Sequence, residues 1–224
     1  KSLLIGRDRP GVRPLFYHHA PDGTFYFASE IKSIFADTRV PRELDFRGLD
    51  QIVTFWTNAG GLTAFRDIRE LPPGHLLVFE KNEIRIERYW DYQFPLTQPA
   101  KPPAFEECVE KFDAVLRDAV QQRLKADVPV GTYVSGGIDS TVTTYLAAQY
   151  TRHKLRTYAV EFEDPYYDES TYQRELAGLL GTEHHAVRVT YDSIAEAFPE
   201  VIWHVEKPLF RTAPTPLFIL SKLV

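Results

Sequence analysis

The stretch Val128-Pro-Val-Gly-Thr-Tyr-Val-Ser-Gly-Gly-Ile-Asp-Ser140 decides how this chain is read. Val128–Val134 is a short apolar run that predicts a strand. It breaks at Ser135-Gly136-Gly137, and a helix is expected from about Ile138 to Tyr150. A strand, a glycine turn and a helix start together make a phosphate cradle. Glycines at 136 and 137 let backbone approach an anion with no Cβ in the way. The helix start adds unpaired N–H groups and the positive end of its dipole. Ser135 and Ser140 supply hydroxyl donors, and Asp139 supplies a carboxylate suited to Mg2+. The Lys-Ser/Thr pair of a Walker A loop is missing, so gripping a transferring γ-phosphate is not its evident task. A merely flexible turn is the bland alternative, and the strand-to-helix setting argues against it.

Downstream the rhythm repeats. Leu155–Phe162 predicts a strand, Asp168–Leu180 a helix closed by Gly181, His184–Val189 a strand, and Asp192–His204 a helix. Strands alternating with helices imply right-handed crossovers and a parallel sheet. Ahead of the motif, apolar residues from Phe105 to Leu124 recur at the spacing of an amphipathic helix. The first ninety residues behave differently and read as antiparallel β with small helices. Ser2–Arg7 precedes the turn Asp8-Arg-Pro-Gly11, and Leu15–Tyr17 and Thr24–Phe27 flank Pro21-Asp-Gly23 as a hairpin. Asp45 is placed to N-cap a helix carrying Phe46, Leu49, Ile52, Val53 and Trp56. Pro72-Pro-Gly74 predicts a type II turn, and His75–Phe79 with Glu83–Arg88 a hairpin around Lys81-Asn82. Prolines at 95, 99, 102 and 103 make residues 95–104 a stiff linker, which divides the chain into 1–94 and 105–224.

Bulk properties narrow the function. The net charge of −5 lacks the basic excess that nucleic-acid or anionic-membrane binding requires, so neither partner is expected. The single cysteine, Cys108, cannot form an intramolecular disulfide, which fits a reducing compartment. No apolar run approaches the ~20 residues of a membrane span, so a soluble, cytoplasmic protein is expected. The chain has no methionine, and Leu220-Ser-Lys-Leu-Val224 reads as mid-helix, the pattern expected of a piece of a longer protein.

Ser135–Ser140 in this setting resembles the PP-loop of ATP pyrophosphatases. That motif alone would also fit NAD synthetase, GMP synthetase or a tRNA-thiolation enzyme. Other blocks are more specific: Gly6-Arg-Asp-Arg-Pro-Gly11, Arg13-Pro-Leu-Phe-Tyr17, Phe27-Ala-Ser-Glu-Ile-Lys32, Leu71-Pro-Pro-Gly-His75 and Tyr89-Trp-Asp91. With Gly181-Thr-Glu-His-His185, Glu206-Lys-Pro208 and Ser221-Lys222, they resemble glutamine-dependent asparagine synthetase in the right order along nearly the whole chain. The resemblance implies that 1–94 is the later part of an N-terminal-nucleophile (class II) glutaminase domain, with an antiparallel α+β fold. It implies that 105–224 is the first part of a parallel α/β PP-loop synthetase domain. The implied activity uses ATP and Mg2+ to convert the aspartate side-chain carboxylate to an acyl-adenylate. Ammonia from glutamine then gives asparagine, AMP and pyrophosphate. Ser135, Gly136, Gly137, Asp139 and Ser140 would hold pyrophosphate, Asp139 would contact the metal, and the backbone at Tyr133 and Val160 would line the adenine pocket. The resemblance also allows a homodimer. Related enzymes acting on another carboxylate, as in β-lactam synthetase-like or polysaccharide biosynthesis, or an inactive relative, would show the same nucleotide motif. The family's nucleophile, an N-terminal cysteine, would lie upstream of Lys1, and its second nucleotide loop would follow Val224. The chain alone is therefore expected to be inactive.

Other residues have blander readings. Cys108 lies on the apolar face of its helix and is expected to be a small buried group rather than a nucleophile. His184-His185 and His18-His19 cannot aim both rings at one metal from a strand, where neighbours face opposite sides. Arg7, Asp8 and Arg9 are expected to form structural ion pairs. Glu206–Thr215 falls on the substrate side of the resemblance, where Arg211 could hold an amino-acid carboxylate bidentately or form a surface salt bridge.

Overall fold

The computed structural model describes residues 2–94 and 103–224. Most of the expected proline-rich linker lies outside the described residues. The chain divides into two compact units, Lys1–Leu96 with Ile202–Phe210, and Thr97–Val201 with Arg211–Val224.

The first unit contains β1 (Ser2–Gly6), β2 (Phe16–His19), β3 (Phe25–Ala28), α1 (Ile31–Ile34), α2 (Phe46–Phe55), β4 (Arg69–Glu70), β5 (His75–Glu80) and β6 (Glu83–Arg88). They form two antiparallel sheets, ordered β1-β5-β6 and β3-β2-β4. Both expected hairpins are present. The β5–β6 turn places Lys81 at φ 51° and Asn82 at φ 67°, the two positive values that match a two-residue hairpin loop to strand twist. Gly74, at φ 68°, sits where the Pro-Pro-Gly turn requires it, and a Cβ there would stand 2.5 Å from the Trp90 carbonyl oxygen. Ile31, Ile34, Phe35, Val40 and Ile68 form the core beside the second sheet, backed by Phe16, Tyr26, Ala28 and Phe65.

Helix α2 begins as the sequence predicts. The Asp45 carboxylate accepts hydrogen bonds from the Arg47 and Gly48 amides at 2.9 and 3.3 Å. Burial raises the pKa of this acid, but the two amides and Arg47 outweigh that effect and leave it lowered. The buried stripe is narrower than the expected apolar face: Gly48 and Ile52 are buried, while Phe46, Val53 and Trp56 are exposed. Trp56 lies past the helix, in the left-handed C-cap position at φ 62°.

The second unit runs α3 (Phe105–Arg123), β7 (Gly131–Tyr133), α4 (Ile138–Tyr150), β8 (Arg156–Phe162), α5 (Ser170–Leu180), β9 (Glu183–Val189), α6 (Tyr191–Val205) and α7 (Pro214–Ser221), with the end of α6 belonging to the first unit. Strands β7, β8 and β9 are parallel in that order, with β8 central and Thr157, Tyr158 and Ala159 buried. Gly181 closes α5 at φ 64°, as expected. Strand β7 is shorter than the apolar run Val128–Val134. Its first paired residue is Gly131, opposite Arg156 of β8. Helix α7 stops at Ser221 rather than running through the chain end. Lys222 and Leu223 amides bond to Ile219 and Leu220 carbonyls, the tight three-residue spacing that closes a last turn.

Cys108 corrects the sequence reading. It is exposed, and α3 buries none of its residues; Phe105, Val109, Phe112 and Val115 all lie open among the described residues. An apolar stripe is covered only where a second layer faces it. Helix α3 is tied to α4 by the Arg117 guanidinium, which donates to Gln149 Oε1 at 3.1 Å. No helix among the described residues is long and apolar enough to cross a membrane.

Gly48 is the tightest position in the first unit, since an added Cβ would lie 1.8 Å from the Thr63 carbonyl oxygen. Gly48→Ala is expected to destabilise by about 3 kcal/mol, and Asp45→Ala by about 1 kcal/mol. Chemical denaturation showing the reverse order would contradict this packing.

Candidate functional site

The site is built where β7 leaves the sheet. Val134 is buried, and its amide donates to the Tyr158 carbonyl at 2.9 Å, extending the β7–β8 ladder one step past the strand. The chain then turns away at the C-terminal edge, the side on which open parallel sheets bind ligands. Gly136 makes the turn with φ 92°, and a Cβ there would stand 2.6 Å from Glu169 Cβ. Gly137 follows as the N-cap of α4 at φ −77°, an ordinary value, with only Ser135 Oγ near its missing Cβ. The two glycines thus have different duties. Gly136 is required by conformation and by the α5 side chain beside it, whereas Gly137 keeps the loop open.

The two serines close the loop on itself. Their hydroxyls are 2.9 Å apart, the Ser135 amide donates to Ser140 Oγ at 3.1 Å, and Ser140 Oγ donates to the Gly137 carbonyl at 3.0 Å. The Gly137 carbonyl also accepts from the Thr141 amide and hydroxyl at 3.1 and 2.9 Å. Deeper along α4, Thr144 Oγ1 donates to Thr132 Oγ1 at 3.2 Å, pinning helix to strand. The first-turn amides of α4 have no intrahelical carbonyl to meet and face the loop with their partial positive charge. Asp139 is exposed in that same turn.

The neighbouring strand end is fixed by α5. The Asp168 carboxylate accepts from Ser170 Oγ at 2.6 Å and from the Phe162 amide at 3.1 Å. The Ser170 hydroxyl first, and then that amide, hold Asp168 below the usual carboxylate range despite partial desolvation. Gln173 is almost fully buried, and its side-chain Nε2 donates to the Val160 carbonyl at 3.0 Å and to the Ser135 carbonyl at a longer 3.4 Å. Thus Ser135, Gly136, Gly137, Asp139 and Ser140 form one loop, with Tyr133 and Val160 on the adjacent ends of β7 and β8. Asp168, Glu169 and Gln173 border it and were not singled out in the sequence. The acid-rich Asp168-Glu-Ser170 ahead of a helical run was the available signal.

The remaining candidates take separate places. Arg211 is exposed in the second unit, whereas Glu206 belongs to the first. There its carboxylate accepts from the Ile31 and Lys32 amides, each at 2.6 Å, at the start of α1. Arg7 is a buried structural group whose ionic partner is Glu70, at 2.8 Å. Asp8 instead accepts from the Val12 and Arg13 amides. The paired histidines diverge as strand geometry requires. His184 Nδ1 meets Thr157 Oγ1 at 3.0 Å, while His185 Nε2 meets Glu183 Oε1 at 3.0 Å. Burial holds His184 below the ordinary histidine pKa. His18 bonds to the Asp67 carbonyl and His19 to Asn82. Among the described residues, no group of three or more His, Cys, Asp and Glu side chains converges as for a metal ion.

An antiparallel unit followed by a parallel sheet with this loop at its edge defines a two-part class, and comparison with known proteins names it. Residues 111–224 match the asparagine synthase family model, and residues 1–90 match the glutamine amidotransferase domain model. The chain belongs to the asparagine synthase family. It is 31% identical to asparagine synthetase [glutamine-hydrolyzing] 3 of Bacillus subtilis, over 89% of this chain and 34% of that protein. It is 33% identical to the amidase chyE of Penicillium rubens, over 92% of this chain and 32% of the relative. The amidase chry2 of Gibberella zeae is 32% identical, over 93% and 33% respectively. The chain therefore spans about a third of the length of these relatives.

The unequal duties of the two glycines can be measured. Gly136→Ala is expected to cost roughly 2 kcal/mol or more, from the left-handed conformation and the Glu169 contact. Gly137→Ala should cost well under half of that. Equal losses in thermal denaturation would show that Gly136 is not the constrained position.

Proposed function

We propose that the second unit carries the ATP site of a synthetase that converts a carboxylate to an amide, with ammonia drawn from glutamine by the glutaminase to which the first unit belongs. The observation that supports it is the loop itself: a β7-to-α4 turn made at Gly136 with φ 92°, closed by Ser135 and Ser140, with Asp139 exposed in the first helical turn. This arrangement offers hydroxyls, free amides and a helix dipole to a pyrophosphate group. Tyr133 and Val160, at the adjoining strand ends, would pass their backbone along the adenine ring.

Mg2+ suits this donor set. It is commonly held by one or two carboxylates together with substrate phosphates, so one exposed acid beside a phosphate loop suffices. Asp139 would hold it, and its charge would offset that of the phosphates. In the proposed reaction a carboxylate oxygen attacks the α-phosphate of ATP, and the bond from that phosphorus to the bridging oxygen breaks. Pyrophosphate leaves into the Ser135–Ser140 loop, where its charge is met by donors already in place. Ammonia then attacks the activated carbonyl carbon and AMP departs, leaving the amide.

Aspartate is the acceptor in the leading reading, with asparagine as product, supported by the asparagine synthetases among the relatives. A second reading, amide formation on another carboxylate, is supported by the two relatives named amidases. The single cysteine is consistent with a reducing, cytoplasmic setting.

Calorimetric titration of the protein with ATP should show binding that strengthens with Mg2+. Asp139→Asn should remove most of that Mg2+ enhancement, about tenfold or more by analogy with a lost metal-ligand contact, without lowering thermal stability. Binding that ignores Mg2+, or an unfolded variant, would overturn the role given to Asp139. AMP formation with aspartate, set against a panel of other carboxylic acids, distinguishes the two acceptor readings.

A further inference from the structure

The β7–β8 ladder stops short of the site. Its last paired residues are Tyr133 and Tyr158, followed by the single bond from the Val134 amide to the Tyr158 carbonyl. Beyond that point β7 turns into the phosphate loop while β8 continues to Phe162 alongside β9. No ladder bond sets the distance between the loop and the end of β8. A side chain from α5 occupies that place. Gln173 is 2% exposed, and its amide nitrogen reaches both the Val160 carbonyl, at 3.0 Å, and the Ser135 carbonyl, at 3.4 Å. Since both partners are carbonyl oxygens, only the NH2 end of the amide can face them. Its Oε1 is then buried without a partner among the described residues.

The amide leaves its own oxygen unpaired, whereas an apolar side chain of the same shape would take the donor from both the Val160 and the Ser135 carbonyls. What the amide supplies here is the bridge between two strand ends that no ladder bond joins. One turn earlier, at the N-cap of α5, Glu169 packs beside Gly136, and the Gln173 backbone amide donates to the Glu169 carbonyl at 3.2 Å. The same helical turn thus touches the loop through Glu169 and spans to β8 through Gln173.

We propose that Gln173 is a positioning residue of the nucleotide site, setting the separation between the phosphate loop at Ser135 and the base-side strand end at Val160. This rests on the nucleotide reading above and adds to it. ATP must reach both ends at once and is sensitive to their separation. Pyrophosphate occupies the loop alone and is not. A residue that merely stabilised the fold would affect both ligands alike.

The test compares Mg-ATP and Mg-pyrophosphate binding by calorimetry in the full chain, unsubstituted and as Gln173→Met, which keeps the volume and removes the donors. The expected result is about a tenfold loss of ATP affinity, with pyrophosphate affinity held within about twofold. Should the methionine variant not fold, Gln173→Asn, an amide one methylene too short to bridge, carries the same expectation. Equal loss for both ligands, or none for either, overturns the positioning role and leaves the nucleotide site standing. An unsubstituted protein that binds neither ligand overturns the nucleotide reading itself, and the role of Gln173 with it.

Discussion

The second unit depends on one backbone conformation. At Gly136 the chain must leave a parallel sheet, reverse into a helix start and pass the side chain of Glu169, all at φ 92°. Side chains other than hydrogen rarely adopt that region, and here a Cβ would also meet a neighbour. Once the turn is made, other features follow from it. The α4 amides point outward at the sheet edge, Asp139 falls in the first turn, and Ser140 comes back within 2.9 Å of Ser135. The anion-binding role proposed for the loop thus rests on how the strand ends, not on any basic side chain. A net negative charge on the chain is therefore compatible with the proposed phosphate site.

Buried polar side chains do much of the fixing around that turn. On the central strand, Thr157 is 1% exposed, and its hydroxyl meets both Thr182 and His184 at 3.0 Å. On the other side, Thr144 joins α4 to Thr132 of β7. Such bonds add little net stability each, but they fix relative position, because breaking one leaves its partner unpaired in a dry interior. Around a site that must hold several donors at set spacing, positional definition matters more than the gain from an extra apolar contact.

The sequence was most legible where chemistry is local. Pro72-Pro-Gly74, Lys81-Asn82, Asp45 and Gly181 each announce a backbone conformation or cap within a few residues, and each is found as read. The strand–glycine–helix motif is local in the same sense, so the elements around 135–140 could be placed without knowing what packs on them. Long-range partners were not legible. Arg7 was read as part of a structural ion pair with no partner named, and that partner is Glu70, on a strand more than sixty positions away. Glu206 was placed in a segment on the substrate side, and its bonds to the Ile31 and Lys32 amides at the start of α1, more than 170 positions away, gave no local signal. Cys108 had the right periodicity for burial, but periodicity states which face is apolar and not whether a second layer covers it.

Arg7 and Gln173 show the same solution carried out with different chemistry. Each is buried, and each donates to backbone carbonyls that no ladder satisfies. Arg7 reaches Leu71, Arg13 and Gly11, tying the turn at 8–11 to the Pro-Pro-Gly turn that follows Leu71. Gln173 reaches Ser135 and Val160. A guanidinium offers a rigid fork of five donors, enough for three carbonyls and the Glu70 carboxylate together, and that carboxylate balances its charge out of water. A primary amide has only two donors and an oxygen that here finds no partner. The charged version suits a junction that only has to stay shut. Beside the phosphate loop proposed above, a fixed cation would draw the anion toward the strand ends, whereas a neutral amide spans the gap and leaves the field of the loop to its own amides.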